Sequence, residues 1–354
     1  MRKLIFTLFF LFIISLPAYA EEYEIKGNDL FNNTVSDITE GNFSLNPITL
    51  INGFFDSFFY ELKNTRTLLK TILLIAVAAG LVRILSGAFE SSQATDAAGL
   101  ACFLLLSLSA IKVFAEVAGY AADTIHTLCD FITKFEPIFI AMLVSSGAVT
   151  QASAFAPVLA ASVYVLGLLV DKCILPLCYF SAILGICGNI GNRIEIGTLT
   201  KLLNSVSKWL YTGILTLFTA VLSLYGFSTK AFNSVAVKGI KFAMGSLVPV
   251  VGGILSDTVD TVLSGANLLK NAVGTAGIVA LFSAASAPLL KILIMMLLLK
   301  ATAAIIEPFS EKRTVNMLLA ISDTVKIMFS MVITASLLFI ISIVIILLSS
   351  GVSL

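Results

Sequence analysis

From residue 68 to residue 349 the chain is a succession of apolar runs, each about as long as a bilayer crossing or longer. This pattern constrains the fold more than any other feature. A helical span needs about 20 apolar residues. The candidate spans are Leu68–Ser86, Ala97–Gly119, Ile138–Val170, Ile174–Ile190, Trp209–Phe227, Ile240–Leu255, Val273–Ile306 and Ile327–Ser349. Ile138–Val170 and Val273–Ile306 are too long for one crossing, so six to nine membrane segments are expected. The runs lack the alternation of a transmembrane barrel. The expected class is therefore all-α and polytopic. Composition agrees: 58% of residues are hydrophobic and 12% charged, against about 25% charged in soluble domains. Only a bilayer acting as solvent covers that much apolar surface.

The first 20 residues read as a signal peptide. Arg2 and Lys3 precede an apolar stretch from Leu4 to Leu16, and Ala18-Tyr19-Ala20 forms a small-x-small cleavage site. Residues 21–66 form a polar extracytoplasmic segment. Within it, Ile48 to Leu62 mixes Phe54, Phe55, Phe58, Phe59 and Tyr60 with Asp56 and Glu61, the pattern of an amphipathic interfacial helix. Basic residues do not settle the orientation. Lys312, Arg313 and Lys326 place the last loop inside, but Lys63, Arg66 and Lys70 lie where the signal peptide implies the outside.

The two over-long runs share a pattern. Thr150-Gln151-Ala152-Ser153 and Pro157 interrupt one, Ser283-Ala284-Ala285-Ser286 and Pro288 the other. Each is followed by a polar loop, containing Leu202-Leu203 or Leu318-Leu319, and then by a lysine that opens a span, Lys208 or Lys326. Proline-broken or re-entrant hairpins at Pro157 and Pro288, within an internal duplication, are the expectation. The chain then divides into a membrane hairpin over 67–130, a first repeat over 131–230 and a second over 231–354.

The net charge of +1 argues against nucleic acid, which requires a basic face. Cys102, Cys173, Cys178 and Cys187 lie in apolar runs and Cys129 in a polar stretch, which is neither a disulfide framework nor a zinc spacing. One histidine, His126, leaves no pair for a metal, and no nucleotide or hydrolase motif is present. No catalytic residue, metal site or cofactor is expected. Gly185, Gly188 and Gly191 suit close helix packing, and Asp171 and Lys172 mark a loop. Polar chemistry concentrates instead in a helix over 255–275. There Asp257, Asp260, Thr261, Ser264, Asn267, Asn271 and Thr275 share an arc of roughly 140°. In a membrane such a stripe must face a lumen, a partner or the headgroups. Pro249 with Gly252 and Gly253 supplies the break before it.

The stretch Val248-Pro249-Val250-Val251-Gly252-Gly253, followed by Ser256-Asp257, Asp260-Thr261, Lys270-Asn271, Gly274 and Gly277, resembles the signature of the stage III sporulation protein AE family. The resemblance implies a multi-pass component of a secretion-like channel, or feeding tube, in the mother-cell membrane around the forespore. It implies as partners a cytoplasmic ATPase, small membrane proteins and ring-forming proteins of the intermembrane space, besides lipid and further copies of the chain. A small-molecule secondary transporter and a non-conducting scaffold are the alternatives.

Overall fold

The computed structural model describes residues 92–145, 149–190, 197–247, 252–308 and 310–349, and over 225–247 and 252–272 it describes the helix alone. The expected signal peptide, the interfacial helix, the first span and Pro249 lie outside these residues. The described elements are helical: α1 (Ser92–Ser145), α2 (Val149–Leu169), a π-helical turn (Val170–Ile174), α3 (Leu175–Cys187), α4 (Gly197–Leu247), α5 (Gly252–Ile306) and α6 (Lys312–Ser349). A helix satisfies all its backbone groups internally, which an apolar surrounding demands.

Among the described residues, five rods are long and apolar enough to cross a membrane: Gly99–Ser145, Ala152–Cys187, Gly197–Leu224, Val273–Ile306 and Lys312–Leu347. The second is α2, the π turn and α3 in line. At 1.5 Å per residue the rods are roughly 40–70 Å long, well beyond a hydrocarbon core of about 30 Å.

Side-chain contacts give the directions. Cys129 Sγ reaches the Val163 carbonyl at 3.9 Å across the turn between α1 and α2, so these run antiparallel. Ser322 Oγ donates to the Met296 carbonyl at 3.2 Å, which makes α5 and α6 antiparallel. Tyr211 on α4 hydrogen-bonds Ser330, while Asn204 and Thr324 both meet Ser181, so α4 and α6 run parallel. The bundle is up-down-up-down-up. Its centre is the α5–α6 pair, whose apolar windows are 56% and 50% buried against 22% in α4. At one end Gly99 lies against the Glu311–Arg313 ion pair of the α5–α6 turn, and the Arg313 guanidinium sits 5.8 Å over the Phe103 ring.

The rods differ from the sequence expectation in several places. Helix α1 runs on from the expected span Ala97–Gly119 past Ile138 to Ser145, and the expected span Ile240–Leu255 falls across the end of α4 at Leu247 and the start of α5 at Gly252. The run Ile138–Val170 divides between Ser145 and Val149, and Pro157 lies inside α2. Around it Ala152, Phe155 and Leu159 are buried, so packing holds the helix through the proline. The run Val273–Ile306 does not break at Pro288, since α5 continues through it. Proline removes one backbone donor, and nearby hydroxyls make this tolerable in membrane helices. Ser286 Oγ donates to the Ser283 carbonyl at 2.9 Å. Leu202-Leu203 and Leu318-Leu319 lie inside α4 and α6, near their starts, rather than in loops. Asp171 and Lys172 occupy the π turn, not a loop. The added residue of that turn keeps both charges exposed while Val170 and Ile174 on either side are buried.

Candidate functional site

Most buried hydroxyls in this bundle serve their own helix. Ser107, Thr302, Ser336 and Ser342 each donate to the carbonyl four residues back, at 2.7–2.8 Å. Such hydroxyls satisfy themselves and link nothing. A smaller set reaches across, and its best-connected members gather at one level of α3, α4 and α6.

At that level Ser181 of α3 is fully buried. Its Oγ donates to Asn204 Oδ1 of α4 at 2.6 Å and lies 3.2 Å from Thr324 Oγ1 of α6. Thr324 spends its own proton on the Ala320 carbonyl at 3.1 Å. Turning the Asn204 amide over, a choice only the hydrogen-bond network decides, would give every contact a proton. The relay would then run from Asn204 Nδ2 through Ser181 and Thr324 to the Ala320 carbonyl. One turn away the Cys178 thiol meets Ser207, and the Tyr211 phenol meets Ser330. Gly185 completes the close approach, because a Cβ there would lie 3.0 Å from Ala320 Cβ.

Two further polar contacts join other rods at other heights. Lys291 of α5 places its Nζ 4.2 Å from the centroid of the Tyr120 ring of α1. His126 Nε2 of α1 lies 3.2 Å from Asp171 Oδ1 of the π turn. Lys208 and Trp209 of α4 and Lys326 of α6 stand exposed nearby, Trp209 at 81%. Tryptophan beside lysine is the usual furniture of a membrane interface. Each of the five rods thus contributes to at least one polar contact between helices. Hydroxyls, an amide, a thiol and a phenol in this arrangement can hold helices in register and meet a polar group. Among the described residues no three His, Cys, Asp or Glu side chains converge as metal ligands.

The residues singled out from the sequence fall elsewhere. Asp257, Asp260, Thr261, Ser264, Asn267, Lys270 and Asn271 lie in the first half of α5, where only the helix is described. The expected helix over 255–275 is thus the start of α5 and not a separate element. Gly252 and Gly253 open α5, five and six residues beyond the end of α4 at Leu247. Thr275, Gly274 and Gly277 are described. Gly274 packs against the Leu347 side chain, and a Cβ on Gly277 would lie 3.2 Å from Phe139 Cζ and 3.5 Å from Ile343 Cδ1. These two glycines seat α5 against α6 and α1. Pro157 and Pro288 lie in helix interiors, Pro288 about one turn before Lys291. Sequence reasoning missed Ser181, Asn204 and Thr324, since single hydroxyls and amides in apolar runs announce no partner.

Residues 30–350 match the family model described as stage III sporulation protein AE. The Stage III sporulation protein AE of Bacillus subtilis (strain 168) is 29% identical over 313 residues, which cover 88% of this chain and 78% of the relative. No solved structure matches the chain.

Proposed function

Because this chain belongs to the stage III sporulation protein AE family, we propose that it acts in spore formation as a membrane platform or channel component between mother cell and forespore. The observation that carries this reading is a bundle of five membrane-length apolar rods in a member of a sporulation family. Such a bundle is an integral membrane body, and its place in this reading is the mother-cell membrane around the forespore. A secretion-like complex, or feeding tube, would draw on a cytoplasmic ATPase, small membrane proteins and ring-forming intermembrane proteins as its other parts. The polar stripe from Asp257 to Thr275 would face the lumen or one of these partners. No catalytic role is proposed for it.

The test is substitution of Asp257 and Asp260 by alanine in sporulating cells, following protein level, complex assembly and passage of material into the forespore. Loss of passage with normal assembly is expected. Loss of assembly alone would favour a scaffold. Solute uptake by the purified protein in vesicles would favour a secondary transporter.

A further inference from the structure

The first half of α1 leaves an apolar face uncovered. Leu100, Leu104, Leu105, Leu108 and Ile111 are all exposed, Leu108 at 65%. By helical spacing they share an arc of roughly 140°. The rest of the helix at this height is taken. Phe103, Leu106, Ser107 and Ala110 are buried, and Gly99 lies against the Glu311–Arg313 pair of the α5–α6 turn. Tyr179 of α3 meets Phe114 edge-on at 5.3 Å. With exposed Ile183, one turn nearer the start of α1, it walls one side of the face. Past Ile111 the exposed side of α1 turns from hydrocarbon to ionisable groups, with Lys112, Asp123, His126 and Asp130.

The apolar run Leu68–Ser86 lies outside the described residues, and only five residues, 87–91, part it from Ser92 at the start of α1. Connections this short join antiparallel neighbours in helix bundles. A span so tethered returns along α1, and the exposed arc is the side that the described rods leave for it. With Ser86 level with Ser92, Leu74 comes level with Leu104, Leu68 with Ala110 and Arg66 with Lys112. The run and the apolar face therefore end at the same height. In this register Arg83 stands beside Asp96, which shares the arc by helical spacing, and Lys63 stands beside Glu116. Opposite charges thus meet at both ends of the hairpin. Arg66 and Lys112 come level as well, and both side chains are long enough to turn apart. Between the ends, Ala76, Ala78, Ala79 and Gly80 come opposite the stretch around Leu100 and Leu104, and small residues let helix backbones approach closely.

We infer that Leu68–Ser86 is a sixth rod, packed antiparallel on the Leu100–Ile111 face of α1. Lipid would cover the leucines equally well, but the five-residue tether holds the run beside α1, and lipid tails offer Arg83 no counter-charge. The polar chain before Leu68 then leaves α1 at Lys112, where the exposed side changes from hydrocarbon to ionisable groups. Residues 21–66 are thereby moored beside the polar half of α1. The inference concerns how the bundle is completed, and it holds for a channel and for a scaffold alike.

The test places the photoreactive residue benzoylphenylalanine singly at Leu104 or Leu108 of the full chain, with Phe282 and Leu337 as exposed control sites on α5 and α6. After irradiation of native membranes, mass spectrometry should find the Leu104 and Leu108 adducts within residues 68–80 of the same polypeptide. Their yield should exceed that of adducts from the control sites to this run at least tenfold. Adducts to lipid, to another protein, to a second copy or to other parts of the chain would overturn the inference, as would yields no higher than at the controls. Charge exchange reads the register. Arg83→Asp and Asp96→Arg should each lower the thermal stability of the purified protein, and the two together should restore most of the loss. Losses that simply add, or no loss in either variant, would overturn the pairing. Neither measurement involves spores, so a failed hairpin leaves the sporulation role standing.

Discussion

Ser181 and Thr324, 143 positions apart in the chain, bring their hydroxyl oxygens to 3.2 Å in the buried centre of the bundle. Asn204 closes the triangle from α4 at 2.6 Å. Interhelical hydrogen bonds in membrane proteins average about 0.6 kcal/mol, with a maximum of about 1.7. Ser181→Ala should therefore cost about 0.5–1.5 kcal/mol of unfolding free energy in mixed micelles. A double-mutant cycle with Thr324→Val should return a coupling of about 0.6 kcal/mol or more. A coupling indistinguishable from zero would mean the two hydroxyls do not interact.

Gly185 carries the closest backbone approach of α3 to α6. Its missing Cβ leaves room for Ala320, which a methyl would meet at 3.0 Å. Gly185→Leu should force the helices apart at about 1–3 kcal/mol, the usual cost of overpacking. Ala320→Gly should restore part of that loss. Thermal stability in detergent would register both.

Gly274 stands where the Leu347 side chain fills the space of a Cβ. Gly274→Ala should destabilise the α5–α6 contact by about 1–3 kcal/mol. Combining it with Leu347→Ala should cost less than the sum of the single changes, because each substitution relieves the other's fault. Strict additivity of the two, measured by unfolding, would contradict the contact.

Tyr120 lies beneath the Lys291 ammonium at 4.2 Å. Tyr120→Leu should remove a cation–π contact of about 0.5–2 kcal/mol, while Tyr120→Phe keeps the ring and should be close to neutral. Equal loss in both variants would assign the effect to the phenol hydroxyl and not to the ring face.

His126 and Asp171 form a pair in which both side chains are nearly half exposed, at 49% and 41%. Exposed pairs contribute about 0–1 kcal/mol. His126→Gln should then leave stability within about 1 kcal/mol of the parent. A larger loss in purified protein would mean that something beyond this fold buries the pair.

Much of the architecture was legible residue by residue. Ile327–Ser349 lies wholly within α6, and Val273–Ile306 ends where α5 ends. Pro288 was misleading, because proline's local cost is offset by a bundle that packs the helix on both sides of it. Asp171 and Lys172 misled in the same way. Two adjacent charges between apolar runs read as a loop, but a π turn keeps them outside without ending the rod.

Hydropathy along the chain therefore decided that this protein is helical, with rods long and apolar enough to cross a membrane. That property is local, since each stretch of about 20 residues meets the bilayer on its own terms. Which hydroxyl meets which amide, which rods stand at the centre and which face keeps its charge were decided by the tertiary structure alone. Those outcomes depend on how several helices share one volume, and no single stretch of sequence contains its neighbours.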